Sequence, residues 1–366
     1  MEEIPNGVLV SAIGFVLGVI FGATAQRTNF CTMGAISDAV FMGDWNRFRA
    51  WMLAIAVAVF GSQALHMTGT VDLATSIYLT PNLGWAGAII GGLLFGFGMT
   101  MTGGCGNKTL VRLGAGNLKS VVVALFLGIF AYMTLRGLTG LARVELEDAV
   151  NVDLLATGIA DQGMPAFLSL LGVPESVARL IVAAAVVGGL LWFVLKSSEF
   201  RASKVDIAGG VIIGLLVPGA WYVTGVIGFD DFEPTPLASF TFVAPVGEGI
   251  QYLMTFTGST INFGIAVVGG VIFGSFIAAK SSGEFRVEAF TDADDMMRHM
   301  VGGSIMGIGG VMALGCTVGQ GITGVSTLAI GSVLALLSIL FGGYFGMKYL
   351  EEGSFGNAFS AVFSRE

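Results

Sequence analysis

Charged side chains are scarce in this chain. Asp, Glu, Lys and Arg make up 11% of the 366 residues, whereas a soluble domain carries about 25%. Apolar residues make up 54%, and the mean hydropathy is +0.84. These values exclude a soluble protein and predict an all-α integral membrane protein surrounded by lipid. The net charge of −8 carries no argument for nucleic acid, and we expect no nucleic-acid partner.

Cysteine and histidine are scarcer still, with three and two residues. The cysteines form no CxxC pair, which excludes a disulfide framework and a zinc site. The two histidines, His66 and His299, lie far apart in the sequence. We therefore expect no metal and no cofactor, and these counts offer no sign of an enzyme.

Hydrophobic runs near the length of about 20 residues that a spanning helix needs occur nine times. The first has no basic segment before it and no cleavage site after it, so we interpret it as a retained helix. The eighth is short for a full span. The nine runs lie near 8–26, 49–66, 85–102, 119–138, 177–195, 206–228, 260–279, 299–314 and 327–347.

The charged residues between the runs fall into two sets. Most of the 17 Lys and Arg residues lie in one set of alternate loops, namely Arg27, Arg47, Arg49, Lys108, Arg112, Lys119, Lys196, Arg201, Lys204, Lys280, Arg286, Arg298, Lys348 and Arg365. The other set holds the acids Glu145, Glu147, Asp148, Asp153, Asp161, Asp230, Asp231, Glu233 and Glu248. Because basic loops stay in the cytoplasm, this asymmetry predicts an outer N-terminus and a cytoplasmic C-terminus.

Glycine is abundant, with 56 residues, and one glycine pattern is written twice. The pattern GGx3GxGx5GC occupies 91–105 and again 302–316. The two copies lie on the third and eighth spans, which cross in opposite directions. We therefore predict an inverted repeat, with repeat one at about 8–138, a linking span at about 177–195 and repeat two at about 206–347. Inverted repeats are typical of transporters.

Each copy ends in a Gly-Cys pair, Gly104-Cys105 and Gly315-Cys316, followed by a short polar stretch. We expect these stretches to be re-entrant helices, because irregular backbone at membrane depth must be buried or line a cavity. Each then offers a helix N-terminus, which attracts anions. The third cysteine, Cys31, follows the first span. Alignment of the first span on the sixth places Ile227 opposite Cys31, so this thiol breaks the symmetry.

Three segments, one around each cysteine, resemble the YeeE/YedE sulphur-transport family and most of all its bacterial thiosulfate-uptake permeases. They are FCTMGAISD at 30–38, GGCGNKTLVRLGAGNLKS at 103–120 and GCTVGQGITGVS at 315–326. The resemblance runs from about 10 to 347. It implies an hourglass-shaped protein of the inner membrane, with nine spans and short re-entrant helices. It also implies a small cytoplasmic sulphur-carrier (TusA-like) or rhodanese-like partner.

The same resemblance implies that an anion passes Cys316 on the outer side, Cys105 near the middle and Cys31 toward the cytoplasm. The predicted function is uptake of thiosulfate into the cytoplasm. Neutral thiols are weak donors, which suits a soft terminal sulfur and permits release. Two alternatives stay open. One is a transporter of another sulphur or selenium oxyanion such as sulfite or selenite, and the other is a membrane oxidoreductase for thiols or sulfane sulfur.

Further residues near these motifs are candidates for binding the anion. Some of them have an alternative role. Lys108 and Arg112 are alternatively charges at the membrane interface, and Gln26 and Gln320 alternatively bond backbone groups where a helix is interrupted. The candidates are Gln26, Gly104, Asn107, Lys108, Thr109, Arg112, Gly315, Thr317, Gln320 and Thr323.

Overall fold

The computed structural model describes residues 5–230 and 235–363. Asp231, Glu233 and Arg365, which entered the charge argument, lie outside the described residues. Most of the described chain is helical, which confirms the predicted all-α fold class. The α-helices are α1 Asn6–Arg27, α2 Thr32–Ser37, α3 Asn46–Met67, α4 Trp85–Met101, α5 Gly106–Gly114, α6 Lys119–Arg136, α7 Leu138–Val150, α8 Met164–Ser169, α9 Glu175–Leu195, α10 Ser198–Ala202, α11 Lys204–Tyr222, α12 Val243–Met254, α13 Phe263–Ser282, α14 Ala293–Met312, α15 Ile330–Glu352 and α16 Phe355–Phe363.

Short irregular elements join these helices. Two strands, β1 Asn82–Leu83 and β2 Val152–Asp153, pair antiparallel. The π-helical and 3-10 segments are Asp38–Met42, Leu73–Thr75, Leu155–Thr157, Val223–Ile227, Phe256–Gly258 and Gly319–Gly324.

Eight helical segments of the described chain are long and apolar enough to cross a membrane. The eighth predicted run, 299–314, corresponds to α14, which has 20 residues and begins earlier than the run. The side chain of Asp292 caps this helix by accepting a hydrogen bond from the N–H of Asp295 at 2.7 Å. Its first turn is acidic, and hydropathy alone therefore missed the start of α14.

The long helices pack in pairs that take one helix from each predicted repeat. Helix α1 packs along α13, α3 along α11, α4 along α15 and α6 along α14. The pairs α1–α13 and α3–α11 each join the first span of one repeat to the second span of the other. The pairs α4–α15 and α6–α14 each join the third span of one repeat to the fourth span of the other. Helices α4 and α14, which carry the two glycine patterns, also pack on each other.

The glycines of the two patterns are contact points between backbones. A Cβ atom added to Gly91 would lie 2.6 Å from the carbonyl oxygen of Gly309, and one added to Gly98 would lie 2.6 Å from that of Gly302. The two copies of the pattern therefore touch each other. Close approach of this kind requires residues without a side chain.

The pentapeptide GVIFG, at 18–22 on α1 and 270–274 on α13, is also explained by packing. A Cβ atom added to Gly22 would lie 2.2 Å from the carbonyl oxygen of Val271, and one added to Gly274 would lie 2.1 Å from that of Val19. The contacts advance in the same direction along both helices, so the two identical segments face each other in a parallel pair.

Each glycine pattern ends in the same turn. Gly103 and Leu314, at matching positions, both have positive φ, 68° and 57°. In each copy the next N–H bonds the carbonyl five residues earlier, at 3.0 Å in the first and 2.7 Å in the second. This hydrogen bond is typical of a helix that ends with a left-handed residue. The turn places each Gly-Cys pair at the start of a new helical segment.

Candidate functional site

All three cysteines are buried and stand at the N-cap of a short helical segment. Cys31 precedes α2, Cys105 precedes α5, and Cys316 precedes the segment 317–326, which is π-helical in its middle. The N–H of Gly34 donates to the Cys31 sulfur at 3.4 Å, and that of Gly319 donates to the Cys316 sulfur at 3.4 Å. Short helical segments therefore follow both Gly104-Cys105 and Gly315-Cys316; their re-entrant placement in the membrane stays a prediction.

The three thiols lie around one region of the core. Cys31 and Cys316 are both near enough to Cys105 to interact electrostatically with its thiol. The Cys105 thiol donates to the side-chain oxygen of Asn107. The hydroxyl of Thr317, on the other repeat, lies beside the same thiol. The fold thus brings together residues that are more than 200 positions apart.

Polar atoms that lack a protein partner follow each cysteine. They are the hydroxyl oxygens of Thr32 and Thr317 and the side-chain nitrogen of Asn107, which are buried without a hydrogen bond among the described residues. Leaving a buried donor or acceptor unpaired costs about 1–3 kcal/mol. Such atoms are therefore places where a polar ligand or water gains hydrogen bonds.

The charged candidates lie on α5. Lys108 is 9% exposed, and its Nζ donates to the Asn29 side chain at 3.3 Å. This bond ties α5 to the turn that precedes Cys31. Arg112 lies in the last turn of α5 and lines a cavity. Neither position is that of a fully solvated surface charge.

Three other candidates are tied to backbone carbonyls. Thr109 bonds the carbonyl of Cys105 at 3.1 Å, and Thr323 bonds that of Phe240 at 2.7 Å. The side-chain nitrogen of Gln320 bonds the carbonyl of Ala313, whereas its oxygen has no partner. The side-chain nitrogen of Gln320 therefore satisfies a backbone carbonyl, and its side-chain oxygen is an acceptor without a partner among the described residues.

The remaining candidates have structural partners. Gln26 donates to Glu284 at 3.1 Å in an exposed contact at the end of α1. Gly104 accepts the hydroxyl of Thr102 at 2.9 Å, and Gly315 belongs to the turn that ends α14. A direct role for these three in anion binding stays a prediction.

The sequence did not identify the aromatic residues near the thiols as part of the site. Phe242 stands at the N-cap of α12, the position that Cys31 has before α2. Its N–H lies beside the Cys316 sulfur, and its ring packs on Phe21 with centroids 5.2 Å apart. The alignment of Cys31 with Ile227 was therefore wrong, because Ile227 ends the π-helical segment after α11. The pattern spacing of 211 residues, which relates Cys105 to Cys316, also relates Cys31 to Phe242.

The connector between α6 and α9 covers the region beside Gln320. Gly163 forms a bridge with Ala329, and the N–H of Ile330 bonds the carbonyl of Gln162 at 2.9 Å. Gln162 is 4% exposed and lines the same small cavity as Gln320. This part of the connector 139–176 therefore packs against the second repeat beside Gln320.

Comparison with known proteins gives a consistent result. The sulphur transport family profile matches residues 27–345. A thiosulfate transporter TsuA of Escherichia coli is 30% identical over 324 residues, 84% of this chain and 86% of the relative. A protein of the same name from Spirochaeta thermophila is 28% identical over 322 residues, 86% and 92% of the two chains. A probable transporter YedE of Escherichia coli is 31% identical over 102 residues, 27% and 23% of the two chains.

Proposed function

The chain belongs to the sulphur transport family and is a sulphur-anion transporter, and we propose that it takes up thiosulfate across the bacterial inner membrane. The proposed path passes Cys316, Cys105 and Cys31 in that order. The names of the two relatives that match most of the chain support this substrate. The alternation of basic and acidic loops supports an outer N-terminus and a cytoplasmic C-terminus.

One observation carries the proposal. A buried polar atom without a partner stands within two residues of every cysteine, at Thr32, Asn107 and Thr317. A core built only for packing pairs its polar atoms or replaces them with apolar ones. We propose that these unpaired atoms and the thiols beside them bind a small polar ion.

Thiols suit the two chemical faces of thiosulfate. A neutral thiol is a weak, polarisable donor that matches the soft terminal sulfur and releases it readily. The amide of Asn107 and the hydroxyl of Thr317 match the hard oxygens. Free N–H groups at the N-termini of α5 and the segment after Cys316 add positive potential without a fixed cation.

The membrane potential opposes the proposed direction. Moving two negative charges inward costs about 4.6 kcal/mol per 100 mV, which excludes the ion roughly a thousandfold at equilibrium. Consumption of thiosulfate in the cytoplasm therefore drives the proposed flux. A small sulphur-carrier or rhodanese-like protein at the inner face is the proposed consumer.

Uptake of labelled thiosulfate into proteoliposomes that contain only this protein tests the proposal. The double variant Cys105→Ala, Cys316→Ala should lose most of the uptake. Thr134→Ala, which alters a buried polar residue of α6 bonded to the Phe130 carbonyl and to Thr139 of α7, is the matched control. Unchanged uptake in the double variant would refute the cysteine path. Competition by sulfite or selenite stronger than by unlabelled thiosulfate would assign another substrate.

A further inference from the structure

A polar cavity of about 440 Å³ lies where α4 and α5 end and where α6 and α14 begin. By the predicted orientation these helix ends face the cytoplasm. The cavity lies next to the turn that carries Cys105, because Gly103 is part of its wall. Its polar lining includes Thr102, Thr109, Arg112, Lys119, Arg298 and His299.

The cations in this cavity are not all neutralised. Lys119 and Arg298 each bind Asp295 at 2.7 Å, so that two cations share one carboxylate. Glu288, also in the wall, binds the amide of Asn117 at 2.7 Å. The side chain of Arg112 makes no hydrogen bond or ion pair with any described residue, although its backbone carbonyl accepts the N–H of Asn117 at 3.0 Å. A guanidinium has five N–H donors, and those of Arg112 have no partner among the described residues.

The cavity has a smaller counterpart in the second repeat. Residues at matching positions line both, and the second measures about 30 Å³. The pairs, first cavity before second, are Met101 and Met312, Thr102 and Ala313, Gly103 and Leu314, Thr109 and Gln320, and Ser120 and Gly331. The two cavities therefore flank the cysteine turns from opposite sides. The second repeat has Thr323 where the first has Arg112, so only the first cavity holds this cation.

We propose that the larger cavity is a second binding site, specific for a tetrahedral oxyanion, with Arg112 as its anchor. Lys119 and Arg298 hold further donors, because each uses only part of its N–H groups on Asp295. The inference deepens the proposed function and rests on it for the direction of flux. By the predicted orientation, the cavity lies on the cytoplasmic side of the turn that carries Cys105. Thiosulfate in transit and cytoplasmic sulfate share the chemistry that this site recognises.

Sided transport measurements test the role of the site. Flux of thiosulfate is measured in right-side-out and inside-out membrane vesicles for the wild type and Arg112→Gln. The concentration for half-maximal flux from the cytoplasmic face should rise roughly tenfold to a hundredfold, since a charged hydrogen-bonding partner is lost. The value from the outer face should change far less, so that the ratio of the cytoplasmic to the outer value rises. Arg201→Gln, on exposed α10 with a bond only to the Leu195 carbonyl, is the matched control.

Equilibrium binding tests the site without transport. The full chain carrying Cys105→Ala and Cys316→Ala, purified in detergent, should bind thiosulfate and lose it on addition of Arg112→Gln. Competition by sulfate would show that the site binds tetrahedral oxyanions generally, whereas a lack of competition would show that the site selects the transported ion. Binding that persists with Arg112→Gln, or no binding of either ion, overturns the proposal. If wild-type vesicles carry no flux, the proposed function fails, and this binding still decides the site.

Discussion

Gly96 on α4 offers a quantitative test of how the helices that carry the cysteines are held. A Cβ atom added there would lie 2.2 Å from the carbonyl oxygen of Ile339 and 2.6 Å from the N–H nitrogen of Gly343, both on α15. Ordinary contact begins at 3.4 Å. Gly96→Ala therefore leaves a shortfall of about 1.2 Å that only backbone movement relieves, because no flexible side chain is involved.

Gly188→Ala on α9 is the matched control, since an added Cβ there meets nothing within 4 Å. Both substitutions gain the same helix propensity, about 1 kcal/mol, so this gain cancels in their comparison. The remaining difference is the overpacking cost of about 1–3 kcal/mol. We expect Gly96→Ala to unfold at a lower temperature in detergent than Gly188→Ala, and to transport more slowly.

Gly307 occupies the matching position of the second pattern, where an added Cβ would lie 2.4 Å from the carbonyl oxygen of Leu127. Gly307→Ala should therefore resemble Gly96→Ala in both assays. If Gly96→Ala unfolds and transports like Gly188→Ala, the two helices are not held by backbone contact and the reasoning is refuted. If only one of the two pattern variants is impaired, the repeats are not mechanically equivalent.

Three further predictions concern single positions near the cysteines. Thr317→Val removes a hydroxyl that lies beside the Cys105 thiol but makes no hydrogen bond of standard geometry among the described residues. The free energy of unfolding should therefore stay unchanged or rise by about 1 kcal/mol, while the half-saturating thiosulfate concentration rises. A loss of stability in chemical unfolding would contradict this. Gly103→Ala forces an alanine into a left-handed backbone conformation and should destabilise the protein by about 1–2 kcal/mol. Leu314→Gly removes the same backbone strain at the matching position and should stabilise the protein. Equal unfolding midpoints for the two variants would argue against strain at these positions. Gln162→Gly should expose the small cavity and speed alkylation of Cys316 by an impermeant reagent added outside, and an unchanged rate would show that Gln162 does not limit access.

Much of the architecture was predictable because it depends on local properties. Hydrophobic run length located eight segments that are long apolar helices in the described chain, and short helices follow Cys105 and Cys316 where polar stretches occur in the sequence. The repeated glycine pattern predicted two equivalent segments, and the structure adds that both end in a turn with a left-handed residue, Gly103 or Leu314, and the same hydrogen bond. The acidic start of α14 was missed because hydropathy penalises the residues that cap a helix.

The site was less predictable because it depends on which distant segments meet. The segment between α11 and α12 is longer than the segment between α1 and α2, and this difference hides the equivalence of Cys31 and Phe242. After Ile227 the extra length increases the number of residues that separates matching positions of the two repeats. The contact of Thr317 with Cys105 joins two repeats, and no local pattern reports it. The position of Gln162 likewise depends on how a long connector folds over its neighbours.

The pairing of α1 with α13 has a consequence for synthesis of the protein. Arg27 ends α1 and Phe263 begins α13, roughly 240 residues later, which at ~5–20 residues per second takes a ribosome about 12–48 s. During that interval the glycine face of α1 has no partner and must rest against lipid or another protein. We therefore expect insertase and quality-control factors to bind the first helix during this interval. A chain truncated before α13 should be degraded and should not accumulate.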